Sequence, residues 1–161
     1  MENSILKQKK NKKFNIFGKD YKLISQENIN KNSIQIIDNK VVLNLKDNCT
    51  ETQCINFIKN WYRNLLKDEI DAILPQLEEK TNIHCSTYGT KNMHTRWGSC
   101  SIKSKKIWLN LQLVQKPKKC LEYVILHELL HTKFPKHTEE FKILQEKYMP
   151  NWKECDYLLN R

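Results

Sequence analysis

The stretch Leu121-Glu122-Tyr123-Val124-Ile125-Leu126-His127-Glu128-Leu129-Leu130-His131 combines the periodicity of a buried helix with the one residue cluster in this chain that names a chemistry. Leu121, Val124, Ile125 and Leu129 recur at helical spacing, and Leu126 and Leu130 widen the stripe into a face that packs on a core. Two imidazoles four residues apart lie about 40° apart around a helix, so His127 and His131 can reach one metal ion. Glu128 then stands beside that metal, placed to take a proton from a water on it, which is the mechanical content of an H-E-x-x-H pattern. With 5 His and 12 Glu in the chain, chance alone produces the pattern in roughly one such sequence in a hundred.

The helix has a planned end. Pro117 can sit near its start, while Pro135 forbids continuation and biases Phe134 away from the α region, so the chain turns soon after His131. That turn can bring back His137, giving the three imidazoles and one water of a catalytic zinc. The interval from His127 to His137 equals that of the metzincin pattern, but Phe134 stands where metzincins place a turn glycine, and the chain is not read as one. Glu140, Glu146 and Glu154 are rivals for the third ligand, because other zinc proteases take a carboxylate from a later helix; His84 and His94 are weaker candidates.

Composition bounds the remainder. A chain of 161 residues, 39% hydrophobic and 29% charged, can bury one sizeable core, and a single domain spanning residues 14–161 is expected behind a basic tail, residues 1–13. No apolar run approaches a membrane span, and the lysine-rich start lacks the apolar centre of a secretory signal, so a cytoplasmic location is expected. The six cysteines form no C-x-x-C pair and are read as reduced, mostly packed side chains; Cys100 is the one that could face the site. A formal net charge of +10 raises the question of a polyanionic partner. The lysines are dense only at the N-terminus and in 103–106 and 116–119, and no nucleic-acid-binding motif accompanies them.

Along the chain, residues 14–17 and 21–24 read as short strands around Gly18-Lys19-Asp20, and 33–37 and 41–45 as a hairpin around Asp38-Asn39-Lys40, both antiparallel signals. A long helix is expected from Thr50 or Thr52 to about Lys80, with Pro75 as a candidate kink. Strands are expected at 83–88, 94–97 and 106–109, then the metal helix, then helices at 138–148 and 151–159.

Several motifs in order, Arg96-Trp97-Gly98-Ser99-Cys100, Ile107-Trp108-Leu109-Asn110, Leu113-Val114, Tyr123-Val124 leading into His127-Glu128-Leu129-Leu130-His131, His137 with Phe141, and Met149-Pro150-Asn151-Trp152-Lys153, resemble the YgjP-like metallopeptidase family. The likeness is close over residues 81–161 and looser over 14–80. It implies an α+β fold with a zincin-like minimal metalloprotease core, small antiparallel or mixed sheets packed on helices. It also implies His127, His131 and His137 as ligands of one Zn2+ ion and Glu128 as general base.

The mechanism expected from zinc chemistry has Glu128 accept a proton from the attacking water and pass it to the leaving amine. Arg96, with Tyr88 and His94 behind it, is the candidate for stabilising the oxyanion; a structural ion pair is the plain alternative for Arg96, and core packing for Trp97. The leading reading is a zinc metallopeptidase acting on a peptide or protein. Two others stand beside it: a phosphohydrolase acting on an anionic nucleotide at the same site, and a non-catalytic zinc module that binds nucleic acid or protein.

Overall fold

The computed structural model describes residues 13–27 and 30–160; the expected basic tail lies outside them except for Lys13, which already belongs to a strand. Two small sheets and four helices make up the described residues, an α+β architecture.

The first sheet holds β1 (Lys13–Ile16), β2 (Lys19–Glu27), β3 (Ser33–Ile37) and β4 (Lys40–Leu45) in the order β1-β2-β4-β3. Its two hairpins are antiparallel as expected, but β2 and β4 run parallel, so the sheet is mixed. The first hairpin turns through Phe17 and Gly18, both at positive φ, which suits the right-handed twist of the strands. The backbone amide of Phe17 donates to the Val114 carbonyl at 2.7 Å, and Gly18 lies so close to Pro117 that a Cβ would sit 3.2 Å from it. The turn is therefore docked on the second half of the chain.

Helix α1 (Glu51–Thr81) opens with a capping box: the Thr50 hydroxyl accepts from the Gln53 amide, and the Gln53 side chain accepts from the Thr50 amide. It closes on Asn82 in the left-handed conformation and runs unbroken through Pro75. Its first half lies over the first sheet, packing around Cys54 against Val41, Leu43 and Leu45. Its second half sends Leu66, Ile70, Leu74 and Leu77 into the main core.

The second sheet contains β5 (Thr87–Lys91), β6 (Gly98–Ser101) and β7 (Lys106–Asn110) in the order β5-β7-β6, with β5 parallel and β6 antiparallel to the central β7. Two expectations shift here. The strand expected at 83–88 starts at Thr87, and the segment expected as a strand at 94–97 is a loop that precedes β6. The loop is tied by Asn110, whose side chain donates to the carbonyls of Met93 and Arg96 and whose amide donates to the Trp97 carbonyl. After a 3-10 turn (Leu111–Gln115) come α2 (Lys118–His131), α3 (Glu139–Tyr148) and α4 (Trp152–Leu159). Helix α2 packs on the inner face of the second sheet, on Ile107 and Leu109. No helix of the described residues is long and apolar enough to cross a membrane.

Ile70 is fully buried where α1 enters the main core. Ile70→Ala should cost about 2–5 kcal/mol in urea unfolding; a loss under about 1 kcal/mol would contradict this packing.

Candidate metal centre

Helix α2 is enclosed on most sides. Cys120, Leu121, Val124, Ile125, Leu126, Leu129 and Leu130 are each at most 4% exposed, leaving a narrow strip on which His127 and His131 stand half-buried. The helix stops at His131, the Phe134 amide still reaching back to the Leu130 carbonyl at 2.8 Å, and Pro135 prevents a further turn. His137 follows immediately, and Thr138 starts α3 by accepting from the Phe141 amide.

The three imidazoles converge. Nε2 of His127 lies 3.2 Å from that of His131 and 3.1 Å from that of His137, and His131 and His137 are 3.1 Å apart. The far sides of two rings decide what those nitrogens carry. Nδ1 of His131 faces the Phe134 carbonyl at 3.0 Å, and Nδ1 of His127 faces the Gln145 amide oxygen at 2.8 Å. Both oxygens can only accept, so both Nδ1 atoms hold the proton and both Nε2 atoms present lone pairs. Lone pairs facing one another at this range call for a cation between them. Two nitrogens bound to zinc at tetrahedral angles are about 3.3 Å apart, so the donor set fits.

The ring of Phe141, 1% exposed, forms the floor, with its centroid 4.8–5.0 Å from all three imidazoles. Among the described residues, His127, His131 and His137 are the one group of His, Cys, Asp or Glu able to hold a metal. The rivals are engaged elsewhere: Glu146 accepts from the Trp152 indole, Glu154 pairs with Lys119, and His84 lies near Glu78. Glu140 and His94 are exposed and outside the cluster.

Glu128 is 6% exposed. Strand β6 passes directly against it: a Cβ on Gly98 would lie 2.7 Å from both Cγ and Oε1 of Glu128. Burial pushes the Glu128 pKa up to about 7, opposed by the Arg96 guanidinium. Burial also drives His127 down to about 4 and lowers His131, so both rings stay neutral around pH 7. The Cys100 thiol is raised, first by burial and then by the charge of Glu128, which makes it a packed neighbour of the site and a poor nucleophile.

Arg96 is exposed and makes no ion pair among the described residues. The Tyr88 hydroxyl donates to Asp71 on α1, committing it away from the site. Trp97 packs on the core and donates to the Leu159 carbonyl at 3.0 Å. Gln145 and the Phe134 carbonyl had no role in the sequence reading, and Gly98 entered it only within a motif, without its contact with Glu128. The first had a signal, since a glutamine four residues after Phe141 sits on the apolar face of α3.

A family model described as YgjP-like, metallopeptidase domain, matches residues 2–161. Among solved structures, the chain is similar to the crystal structure of the metallopeptidase zymogen of Pyrococcus abyssi abylysin, at 20% identity and a TM-score of 0.49 over 53% of this chain and 87% of that one. It is also similar to the metallopeptidase zymogen of Methanocaldococcus jannaschii jannalysin, at 31% identity and a TM-score of 0.44 over 58% of this chain and 88% of that one. No curated protein matches the chain. A family match over nearly the full length, on a chain whose three histidines gather at one point, makes this protein a member of the YgjP-like metallopeptidase family and a metal-dependent hydrolase.

Proposed function

We propose that the protein is a zinc peptidase in which His127, His131 and His137 hold the ion and Glu128 is the general acid–base. The observation that carries this reading is the buried Glu128 carboxyl on the same helix as two neutral imidazoles whose lone pairs point at a third. When bound, zinc supplies Lewis acidity that acidifies water and polarises a carbonyl.

The chain's own groups do the rest. With its pKa raised toward neutrality, Glu128 accepts a proton from the attacking water and can still release it to the departing amine. Arg96, whose positive charge already reaches Glu128, is assigned to the negative charge that develops on the carbonyl oxygen. Among the described residues strand β6 pairs only with β7, so an extended peptide can add to its other edge and lie alongside Glu128. Three protein ligands without a fourth among the described residues favour an open, reactive position over a closed structural one.

Purified wild type and Glu128→Gln should each carry one equivalent of zinc by mass spectrometry, while peptide turnover falls about 10²–10⁴-fold in the variant. Equal turnover in the two would end the general-base assignment, and cleavage of nucleoside triphosphates without any peptide cleavage would replace the peptidase reading. His137→Ala should lose the metal. Gln145→Leu frees the far side of His127 and should weaken zinc binding about 10–100-fold in chelator competition; unchanged affinity would remove Gln145 from the site.

Metal-free protein offers a test through stability. In the fold Glu128 titrates near 7 rather than 4.5, so across that window the unfolded chain ionises a carboxyl that the folded chain keeps protonated. Stability is therefore lost as pH rises through the window, by on the order of 3 kcal/mol. His127, lowered from 6.5 to about 4, acts in the opposite sense, adding stability as pH rises. The difference between wild type and Glu128→Gln isolates the first effect. The variant should melt higher at about pH 8 and lose that advantage by about pH 4, and a pH-independent difference would refute it.

A further inference from the structure

The second sheet has two unlike faces. Ile107 and Leu109 of β7 are fully buried against α2, while the alternate residues Lys106 and Trp108 point the other way. The register places Gly89 of β5 and Ser99 of β6 on either side of Trp108, and Thr87 and Ser101 on either side of Lys106. None of these outward residues is buried, and Trp108 belongs to neither hydrophobic cluster of the described residues. A large aromatic ring thus lies across a row of small side chains. The absence of a side chain at Gly89 is what permits it, since a Cβ there would be 2.5 Å from the indole.

Charge converges on the same ring. The Lys106 and Lys91 ammonium groups lie 4.0 and 4.7 Å from the Trp108 ring centroid. Lys103 and Lys105 occupy the turn leading into β7, and none of the four forms an ion pair among the described residues. Residues 82–110, the segment that builds this sheet, contain five Lys and Arg and no Asp or Glu, half of the formal net charge of +10. An ordinary solvated surface mixes both signs.

We propose that the outer face of the second sheet binds single-stranded nucleic acid, a base stacking on Trp108 while Lys91, Lys106 and the turn lysines take the phosphates. A flat ring on a small-residue row supplies the sequence-tolerant stacking platform, and unpaired lysines supply the track for the backbone. Asp and Glu side chains would pair with the lysines but offer the ring no flat group to stack on it, which makes nucleic acid the fitting polyanion. This binding is independent of the hydrolytic reading, although β6 belongs to both places: its outer side adjoins Trp108 and its inner side meets Glu128.

The test is fluorescence anisotropy of the full chain with a labelled single-stranded oligothymidylate of about 15 nucleotides at low salt, beside polyglutamate and inorganic polyphosphate as competitors. The oligonucleotide should bind with an affinity that falls steeply with salt and should quench tryptophan emission. Trp108→Ala should weaken binding about tenfold, Trp108→Phe should retain most of it, and Lys91→Gln with Lys106→Gln should lower both affinity and salt dependence. Should Trp108→Ala fail to fold by circular dichroism, the Phe and Gln variants and loss of quenching in Trp108→Phe decide the matter. No binding at low salt, affinity insensitive to Trp108 and the two lysines, or polyglutamate or polyphosphate competing as well as unlabelled oligonucleotide would each overturn the proposal.

Discussion

The enclosure of α2 is the constraint on which the structure turns. A helix buried on most of its circumference cannot rotate or slide without exposing leucines, so the strip carrying His127 and His131 points in one fixed direction. The same enclosure places Glu128 against Gly98 and Val124, where a charge is poorly solvated. Packing and acidity therefore share a cause: the burial that stabilises the helix also raises the carboxyl toward neutrality, as the proposed proton transfer requires.

The third imidazole arrives by a different route. His137 belongs to the connection between α2 and α3, fixed at one end by the Phe134 amide on the Leu130 carbonyl and at the other by the Thr138 cap. Helix α3 contributes Phe141 beneath the rings and Gln145 behind His127. An ion held by these rings would tie α2 to the connection that leads into α3, so binding and the docking of α3 support each other.

Much of this was legible in the residues. The spacing of His127, Glu128 and His131 on an apolar helix, the stop imposed by Pro135, the hairpins and the long α1 all rest on local rules, and each local rule agrees with the fold. What sequence reading misplaced was set by long-range contacts. Segment 94–97 has the β-branched and aromatic residues of a strand, yet Asn110 captures its carbonyls and holds it as a loop. The actual strand, Gly-Ser-Cys-Ser, has weak β propensity because its residues answer to the helix beneath them. The parallel pairings of β2 with β4 and β5 with β7 join segments distant in the chain, beyond the reach of any turn signal.

Gly98 carries one more consequence. Because even a methyl group there would collide with the Glu128 side chain, strand and helix meet with no spare atomic layer between them. Change in this scaffold is thereby steered away from the start of β6 and toward exposed positions of the preceding loop such as Asn92, His94 and Thr95. The wall that Gly98 forms beside Glu128 can be inherited but hardly remodelled.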